Sequence, residues 1–474
     1  MTNLSGANLN NGAAVGPQGE GRESPSNFPK YPEYKDSGVE WLGDVPGHWN
    51  ISPLKFSASC NDTVLPDSTD GDYEIEYVEI SDVNEISGIT GSTSYKFADA
   101  PSRARRMLQD GDVLVSTVRT YLRAIAPVVA PPENLIASTG FAVVRPRKGI
   151  LDGAFLGYML RAEWWISEVI ARSVGVSYPA INASDLIGLN VPVPAWHEQT
   201  QIARFLDHET ARIDALIEEQ QRLIELLKEK RQAVISQAVT KGLDPTVPMK
   251  DSGVEWLGEV PVHWEVLATK RFFRMVADPA PENNDFELLS IYTEIGVRPR
   301  KDLEQKGNKA STTDGYWRVK RGDLIVNKLL AWMGAVGYSE YDGVTSPAYD
   351  ILRPSRKLAP KFYHYLFRGK SAQQEFKRWS RGIMEMRLRL YFDELGRILM
   401  PFPPLEEQER IVDFIEEMED KFDSLSQAAS EQVKLLSERR SALISAAVTG
   451  KIDVRGWQPV VSTQAPKLEV AEAD

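Results

Sequence analysis

The chain carries two copies of one order of segments. Residues 35–49 read KDSGVEWLGDVPGHW and residues 250–264 read KDSGVEWLGEVPVHW, so these segments differ at only two positions. A second pair of segments, residues 198–244 and 407–453, aligns without a gap and shares 17 of 47 residues. Because similar sequences adopt similar structures, the repeat predicts two copies of one structural unit.

The regions between these conserved segments, about 140 residues in each copy, resemble each other only in outline. Each has three runs rich in β-branched and aromatic residues, which favour strands. A stretch with apolar residues three and four apart, typical of a helix, follows in each copy. We therefore expect one mixed α and β domain per copy. The strand-like runs are residues 73–80, 112–117 and 141–144, and then 286–292, 323–327 and 349–352; the helix-like stretches contain Phe155, Met159 and Leu160, and Phe362, Tyr365 and Leu366.

The second conserved segment of each copy predicts a long helix with a coiled-coil seam. Alternate steps of four and three residues meet apolar side chains at seven of ten positions from Ile202 and at eight of ten from Ile411. Neither predicted helix has an interior Gly or Pro, and about 42 residues predict a helix of roughly 60 Å. The alternative is that these helices only cover a core. The seam residues are Ile202, Leu206, Ile213, Leu216, Leu223 and Leu227 in the first helix and Ile411, Ile415, Met418, Phe422, Leu425 and Leu436 in the second.

Antiparallel pairing of the two helices would relate the two copies by a pseudo-two-fold axis. Double-stranded DNA has two-fold axes of the same kind, and a protein that recognises two half-sites one helical turn apart separates its recognition elements by about 34–36 Å. Two helices of this length would therefore fix the spacing between two DNA half-sites.

Composition and charge exclude several classes of protein. Apolar residues make up 42% and charged residues 26% of the chain, as in globular proteins. There is no apolar run of about 18 residues and no signal-peptide pattern, so we expect a cytoplasmic protein. The net charge of -12 argues against indiscriminate nucleic-acid coating. Residues 265–400 nevertheless have 24 Lys and Arg against 17 Asp and Glu, whereas residues 50–190 have 12 against 17.

Five motifs resemble those of type I restriction-modification specificity subunits, and the resemblance extends along nearly the whole chain. They are YKDSGVEWLG at 34–43, GDVLVSTVRTYLRA at 111–124, GVSYPAINASDL at 175–186, GDLIVNKLLAWMG at 322–334 and PFPPLEEQERI at 401–411. One departure is PAWHEQ at 194–199, where the second copy has PPLEEQ. The resemblance implies two target-recognition domains, each recognising one part of a split DNA site, joined by two helices in an antiparallel coiled coil. It also implies two methyltransferase subunits and restriction subunits as partners.

The expected fold class is thus mixed α and β (α+β), with two globular domains, an antiparallel coiled coil and a pseudo-two-fold internal repeat. The expected boundaries are a flexible N-terminal tail at 1–30, a first target-recognition domain at 31–191, a first coiled-coil helix at 192–244, a second target-recognition domain at 245–400, a second coiled-coil helix at 401–453 and a C-terminal tail at 454–474.

Candidate DNA-contacting residues are those whose side chains suit bases or phosphates. The planar fork of Arg meets guanine O6 and N7 together, while Asn suits adenine. Contacts to phosphates are expected to dominate. For Trp332 the alternative to a DNA contact is a position in the hydrophobic core. The candidates are Arg103, Arg105, Arg106, Arg119, Tyr121, Arg123, Ser177, Tyr178 and Asn182 in the first domain and Arg298, Arg300, Lys328, Trp332, Arg381, Arg387 and Arg389 in the second.

The sequence lacks the motifs of the enzymes that act on DNA. It has no Gly-rich cofactor loop with an Asn or Asp followed by Pro-Pro and an aromatic residue, and no phosphate-binding GxxxxGK[ST] loop. The single Cys60 and five scattered histidines suggest no metal site. We therefore expect a non-catalytic subunit, with S-adenosylmethionine, ATP and magnesium bound by partner subunits. The competing hypotheses are an unfamiliar enzyme and a coiled-coil scaffold that does not contact DNA.

Overall fold

The computed structural model describes residues 28–293, 295–302, 313–383 and 387–459. Most of the proposed tails at 1–30 and 454–474 lies outside these residues. The chain forms two compact units. The first consists of residues up to Glu219 together with residues from Gln432 onward, and the second consists of Gln220–Glu431. The predicted boundaries at 191, 244, 400 and 453 stay predictions, because the units are defined by contacts rather than by the repeat.

The first unit contains fourteen strands and three complete helices within its described residues. The strands are β1 (Tyr34–Asp36), β2 (Asp44–Pro46), β3 (Asn50–Pro53), β4 (Ala58–Cys60), β5 (Glu74–Val78), β6 (Val83–Asn84), β7 (Gly88–Ile89), β8 (Thr93–Lys96), β9 (Ala104–Met107), β10 (Val113–Ser116), β11 (Ile125–Pro127), β12 (Leu135–Ser138), β13 (Phe141–Pro146) and β14 (Asn190–Val193), and the helices are α1 (Gly153–Leu160), α2 (Glu163–Ala171) and α3 (Ala183–Ile187).

Two four-stranded sheets organise this unit. The first is antiparallel, with strand order β11-β10-β13-β4, and β10 at its centre is buried along its whole length. Its apolar side chains pack with α1 and α2 in one core around Phe155 and Trp165. The second sheet has the order β8-β5-β12-β9 and contains one parallel pair, β5 with β12. Strands β1 and β2, β6 and β7, and β3 and β14 form two-stranded ladders.

The second unit begins within a long helix and repeats this plan. The long helices are α4 (Trp196–Lys241) and α8 (Leu405–Val448). The other elements are β15 (Met249–Asp251), β16 (Glu259–Pro261), β17 (Glu265–Ala268), β18 (Phe273–Val276), β19 (Leu289–Tyr292), β20 (Gly296–Pro299), β21 (Trp317–Val319), β22 (Leu324–Asn327), β23 (Val336–Tyr338), β24 (Gly343–Thr345), β25 (Tyr349–Pro354), α5 (Pro360–Arg368), α6 (Lys370–Trp379), α7 (Phe392–Leu395) and β26 (Leu399–Phe402).

The strand order of the second unit confirms that the two copies share a fold. Its antiparallel sheet has the strand order β18-β25-β22-β23. These strands are the counterparts of β4, β13, β10 and β11, so the order is that of the first unit's sheet read from its opposite edge. The second sheet is weaker here. It consists of the pairs β19 with β20 and β21 with β24, and a single parallel bridge between Leu288 and Val344 replaces the parallel pair of the first unit. The mixed α and β class predicted for each copy is confirmed.

The long helices α4 and α8 pack antiparallel within each unit. In the first unit Arg440 Nε donates to Asp214 Oδ1 at 2.8 Å, and in the second Arg231 Nη1 donates to Asp423 Oδ1 at 2.8 Å. The offset of the repeat maps Asp214 onto Asp423 and Arg231 onto Arg440. The same ion pair therefore occurs once in each unit, as antiparallel pairing of two equivalent helices requires. Partly exposed pairs of this kind stabilise by less than about 1 kcal/mol each, so their role is mainly to fix register.

The seam of these helices differs from the predicted one at three of the twelve predicted positions. Leu216, Leu223 and Leu425 are 46%, 41% and 54% exposed, so their assignment to the seam was wrong. The less exposed neighbours Ile217 and Ile224 take their place in α4. Adjacent apolar residues satisfy either sequence of three- and four-residue steps, so periodicity could not select between them. The other seam residues are buried (Ile202, Leu206, Ile213, Ile411, Ile415 and Phe422) or half-buried (Leu227, Met418 and Leu436).

Candidate nucleic-acid interface

A cleft of about 660 Å³ in the first unit brings together residues that lie far apart in the sequence. Arg103 precedes β9, Arg119 follows β10, and Tyr178 lies in the loop between α2 and α3. All three line the cleft. Each was predicted to contact DNA, and the structure places them on one surface.

Backbone contacts hold the Tyr178 loop against the end of β10. The N–H of Ile181 donates to Thr117 O at 2.9 Å, and the N–H of Arg119 donates to Pro179 O at 2.7 Å. Arg119 has a left-handed backbone at this point, with φ of 51°. Its guanidinium then lies over the Tyr178 ring, 4.8 Å from the centroid. A cation over an aromatic face is attracted by the ring and loses side-chain freedom.

Arg103 and Arg119 differ from the neighbouring candidates in their ionic partners. Within the described part of the chain neither forms an ion pair with a carboxylate, and both are exposed. Arg123, in contrast, donates two hydrogen bonds of 2.7 Å to Glu163 and one of 3.1 Å to Glu85. The Arg123 guanidinium is therefore bound by carboxylates of the protein itself and is not available to a ligand.

The remaining candidates of the first unit are divided between structural and exposed positions. Arg105 lies 3.1 Å from Asp67 and over the Phe97 ring. Arg106 is half-buried, and its Nε has no hydrogen-bond partner. The exposed candidates are Tyr121, Ser177 and Asn182, and of these Asn182 donates to Asp185 at 3.2 Å.

Among the described residues of the second unit, the candidates do not line one cleft together. Lys328 lies 3.2 Å from Asp350, whose pKa is raised by burial, and so has a local partner. Trp332 is half-buried against the core and donates to Leu329 O at 3.0 Å, so its alternative reading as a packing residue fits better. Arg298 is half-buried and donates to the Tyr341 hydroxyl at 3.4 Å, and Arg300 is half-buried too.

Three exposed arginines of the second unit lie together on the loop before α7. The backbones of Arg381 and Arg389 form an isolated antiparallel bridge, and Arg387 lies two residues before Arg389 in the sequence. Arg381 pairs with Glu394, while Arg387 and Arg389 have no ion pair within the described residues. The N–H of Leu390 donates to Lys328 O at 2.9 Å, which attaches this loop to β22 as the Tyr178 loop is attached to β10.

A second cleft, of about 1100 Å³, lies within the second unit beside its helix pair. Arg368 lines this cleft and donates to Thr293 O at 2.7 Å, Gly334 O at 3.1 Å and Val336 O at 3.2 Å. His364 accepts from the Tyr338 N–H at 3.1 Å, and burial together with nearby cations lowers its pKa to about 3. These contacts stabilise the loops around the cleft, which the sequence had not indicated.

Buried ion pairs at equivalent places in both units also escaped prediction. Arg145 donates through Nε and Nη2 to Asp112, both at 2.7 Å, and Arg353 donates likewise to Asp323 at 2.8 and 2.6 Å. Asp112 and Asp323 are 1% and 2% exposed. Both follow Gly in the motifs GDVL and GDLI, so the recurrence of an acidic residue before a buried strand was the available signal.

The Trp and His residues that recur in segments 35–49 and 250–264 form a packing cluster in each unit. In the first unit His48 lies 2.9 Å from Glu198, and the indole N–H of the buried Trp49 donates to the same carboxylate at 3.1 Å. In the second, His263 lies 2.6 Å from Glu407. The next residue, Gln199 or Gln408, accepts the backbone N–H that precedes the first domain helix, at 2.8 and 2.9 Å. The turns PAWHEQ and PPLEEQ therefore make equivalent His–Glu and Gln contacts despite their different sequences.

Within the described residues, neither unit holds three His, Cys, Asp or Glu side chains arranged to bind a metal ion. None of the described helices is long and apolar enough to cross a membrane.

Comparison with known proteins gives consistent matches. The model of the type I restriction modification DNA specificity domain matches twice, at residues 56–227 and 264–435. The putative type I restriction enzyme MjaX specificity subunit of Methanocaldococcus jannaschii is 22% identical over 431 residues, covering 87% of this chain and 96% of that protein. The EcoDI specificity subunit of Escherichia coli is 24% identical over 335 residues, covering 65% of this chain and 72% of that protein.

Two solved structures share the fold. The HsdS subunit from Thermoanaerobacter tengcongensis has a TM-score of 0.55 at 20% identity and covers 86% of this chain and 98% of its own. A chain from a structure that describes complex assembly and conformational transition of a type I R-M system has a TM-score of 0.60 at 22% identity, with coverages of 85% and 98%.

Proposed function

The chain belongs to the family defined by the type I restriction modification DNA specificity domain, of which it has two copies, and from this we propose that each unit recognises one half of a split DNA target. The domain repeat supports this assignment, because two equivalent units in one chain suit two half-sites. The helices α4 and α8 would fix the spacing of the half-sites, and the base pairs between them would not be recognised.

The observation that carries the proposal is the cleft of the first unit. Two exposed arginines, Arg103 and Arg119, line it together with an exposed tyrosine, and neither arginine has a carboxylate partner among the described residues. Guanidinium groups not already neutralised by acidic neighbours are the protein groups best suited to guanine edges and to phosphates. We assign base recognition to Arg119, because its contact with Tyr178 holds the guanidinium in place.

In the second unit the corresponding surface is the loop with Arg381, Arg387 and Arg389. It is attached to the end of β22 by the same kind of backbone bond as its counterpart in the first unit. The surplus of Lys and Arg in residues 265–400 favours attraction of a polyanion to this unit. Lys328 and Trp332 are assigned to the protein structure instead.

We assign the chemistry to partner subunits. The family is one of specificity subunits, and the sequence lacks methyltransferase and phosphate-binding motifs. A methyltransferase pair would bind S-adenosylmethionine, and restriction subunits would bind ATP with magnesium. The subject of one similar structure, complex assembly in a type I R-M system, supports a role in assembly.

A domain exchange tests the division of recognition. Residues 57–190 are replaced by the corresponding domain of a relative with a known target, and the chain is produced with its methyltransferase partner. Sequencing of modified bases in cellular DNA should show one half-site changed and the other retained. If both halves change, one unit does not serve one half-site. If no modification pattern depends on this chain, it is a scaffold and the proposal fails.

A further inference from the structure

Glu79 places a carboxylate in the cleft of the first unit, beside side chains that suit a polyanion. It is exposed, and it lines the cleft together with Arg103 and Arg119. A carboxylate repels phosphates, so this side chain weakens any contact between the cleft and the DNA backbone. Its position therefore favours a partner other than a phosphate.

The strand register of the second sheet brings Glu79 and Arg103 to the same end of that sheet. Strand β12 lies between β5 and β9. Glu79 directly follows β5, Arg103 directly precedes β9, and Ser138 ends β12. The pairing of β12 is parallel with β5 and antiparallel with β9, so all three residues meet there. Because neighbouring strands lie about 4.8 Å apart, roughly 10 Å separates the backbones of Glu79 and Arg103.

The turn that carries Glu79 is packed against the part of the fold that carries Arg119. A Cβ atom on Gly140 would lie 2.9 Å from Ile80 Cδ1, so the residue after Glu79 fills the space above this glycine. Gly140 O in turn accepts the Thr117 N–H at 2.9 Å, two residues before Arg119. The backbones that carry the carboxylate and the Arg119 guanidinium are therefore fixed relative to each other.

The Glu79 carboxylate can accept further hydrogen bonds. Ser81 Oγ donates to Glu79 Oε1 at 2.7 Å, and within the described residues Glu79 forms no ion pair. A carboxylate accepts about four hydrogen bonds in all. A ligand of this cleft that satisfies both kinds of group must donate to Glu79 and accept from the arginines.

A C·G base pair presents this combination on its major-groove edge. The N4 amino group of cytosine is a donor, and O6 and N7 of guanine are the acceptors that suit an arginine. Adenine also has an amino group, but adenine N7 and thymine O4 flank it, and both are acceptors that repel a carboxylate. The groups in the cleft therefore favour cytosine as the partner of Glu79.

We propose that Glu79 accepts a hydrogen bond from the N4 amino group of one cytosine in the half-site of the first unit. The inference rests on the proposed DNA recognition and specifies part of its chemistry. It requires that this half-site contain at least one C·G pair. Because the same carboxylate repels the backbone of any DNA, Glu79 increases specificity and does not increase general affinity.

Methylation of cytosine N4 tests the contact, because the methyl group replaces the hydrogen that faces the major groove and leaves Watson–Crick pairing intact. The chain is purified with its methyltransferase partner, its target is obtained by sequencing modified bases, and the domain exchange identifies the half-site of the first unit. Duplexes with single N4-methylcytosine substitutions are then compared in binding titrations. We expect one position to weaken binding about tenfold, within the range that single mismatched base pairs produce.

Variants connect that position to Glu79. Relative to random DNA, Glu79→Ala should bind the unmodified target about tenfold more weakly, and it should no longer distinguish cytosine from N4-methylcytosine. Its binding to random duplexes should stay the same or become tighter, because a repulsive charge is removed. Glu79→Gln keeps an acceptor oxygen and should retain part of the discrimination.

Glu74→Ala is the matched control. Glu74 is exposed as well, but it begins the strand that Glu79 follows, and it does not line the cleft. The variant removes the same charge from the other end of β5 and should retain the full discrimination.

The outcomes separate this inference from the function on which it rests. If the complex binds target and random duplexes alike, DNA recognition itself is wrong. If it prefers the target but Glu79→Ala still distinguishes cytosine from N4-methylcytosine, the contact is wrong and recognition stands. A first half-site made only of A·T pairs would also overturn the inference. So would a Glu79→Ala variant that weakens binding to target and random DNA equally, since Glu79 would then act through the protein structure.

Discussion

Arg119 and Arg123 lie four residues apart and both have left-handed backbones, with φ of 51° and 53°, yet they should respond oppositely to substitution. Arg119→Ala should weaken target binding and leave stability unchanged. Arg123→Ala should lower stability and leave recognition unchanged. Alanine keeps the Cβ atom, so backbone strain is similar before and after each change.

The sizes of the two effects follow from the contacts. Loss of a bidentate guanine contact costs about 1–3 kcal/mol, which corresponds to roughly 5- to 150-fold weaker binding to the target. Arg123 loses ion pairs to Glu163 and Glu85, whose side chains are 49% and 46% exposed. Solvent screening limits that loss to about 1 kcal/mol, or a decrease of roughly 2–4 °C in Tm.

The assays are titration of target and random duplexes at several salt concentrations and thermal denaturation of the same preparations. Arg119→Ala should weaken binding to the target much more than to random DNA. If it weakens both equally and lowers the salt slope by about 0.9, Arg119 contacts a phosphate and the assignment to a base is refuted. If it lowers Tm instead, the Tyr178 contact is structural and the contrast with Arg123 fails.

Four further outcomes are expected. The pKa of His364 is lowered to about 3 in the folded chain, whereas in the unfolded chain the imidazole has its ordinary pKa near 6.5. The unfolded chain therefore binds more protons between these values, and stability should fall as pH decreases from about 6.5 towards 3. In urea titrations His364→Asn should flatten this pH dependence, and an unchanged profile would show that His364 does not cause it. Gly450→Ala should lower the free energy of unfolding by about 3 kcal/mol or more, because the added Cβ would overlap Pro46. Gly242→Ala should lower it by about 1 kcal/mol, because a Cβ there would lie 3.3 Å from its nearest neighbour. Equal decreases in chemical denaturation would refute the distinction. A seven-residue insertion after Leu216 adds about 10.5 Å of helix and should lengthen the unrecognised spacer by up to roughly three base pairs or abolish activity; methylation mapping that finds new half-sites with the old spacer would refute the spacing role. The chain alone, with its net charge of -12, should bind DNA poorly at physiological salt and gain affinity with its methyltransferase partner; tight specific binding by the isolated chain in a gel shift would contradict this.

Much of the fold could be predicted because the chain repeats itself. The near-identity of residues 35–49 and 250–264 implied two equivalent units, and β-branched runs and helical spacing placed β5, β10 and α1 correctly. Local patterns sufficed for these elements, because burial of one face imposes a period of two or 3.6 residues on the sequence.

The helix seam shows where local pattern ceased to decide. Leu216 and Ile217 are both apolar, as are Leu223 and Ile224, so each pair fits a seam in either sequence of steps. Only packing against the partner helix selects one member of each pair. The ion pair of Asp214 with Arg440 depends likewise on two segments 226 residues apart, although the recurrence of both residues in the repeat was visible.

The order and periodicity of the residues were enough to predict two units of one fold, two long helices and the family to which the chain belongs. The sequence also identified the arginines whose side chains suit DNA. Which of these arginines remain available depends on folding: Glu163 and Glu85 bind Arg123, while the Tyr178 loop brings Arg119 into the cleft with Arg103. Local patterns do not record such pairings, because a charge is neutralised by whichever side chain folding places beside it, at whatever distance along the chain.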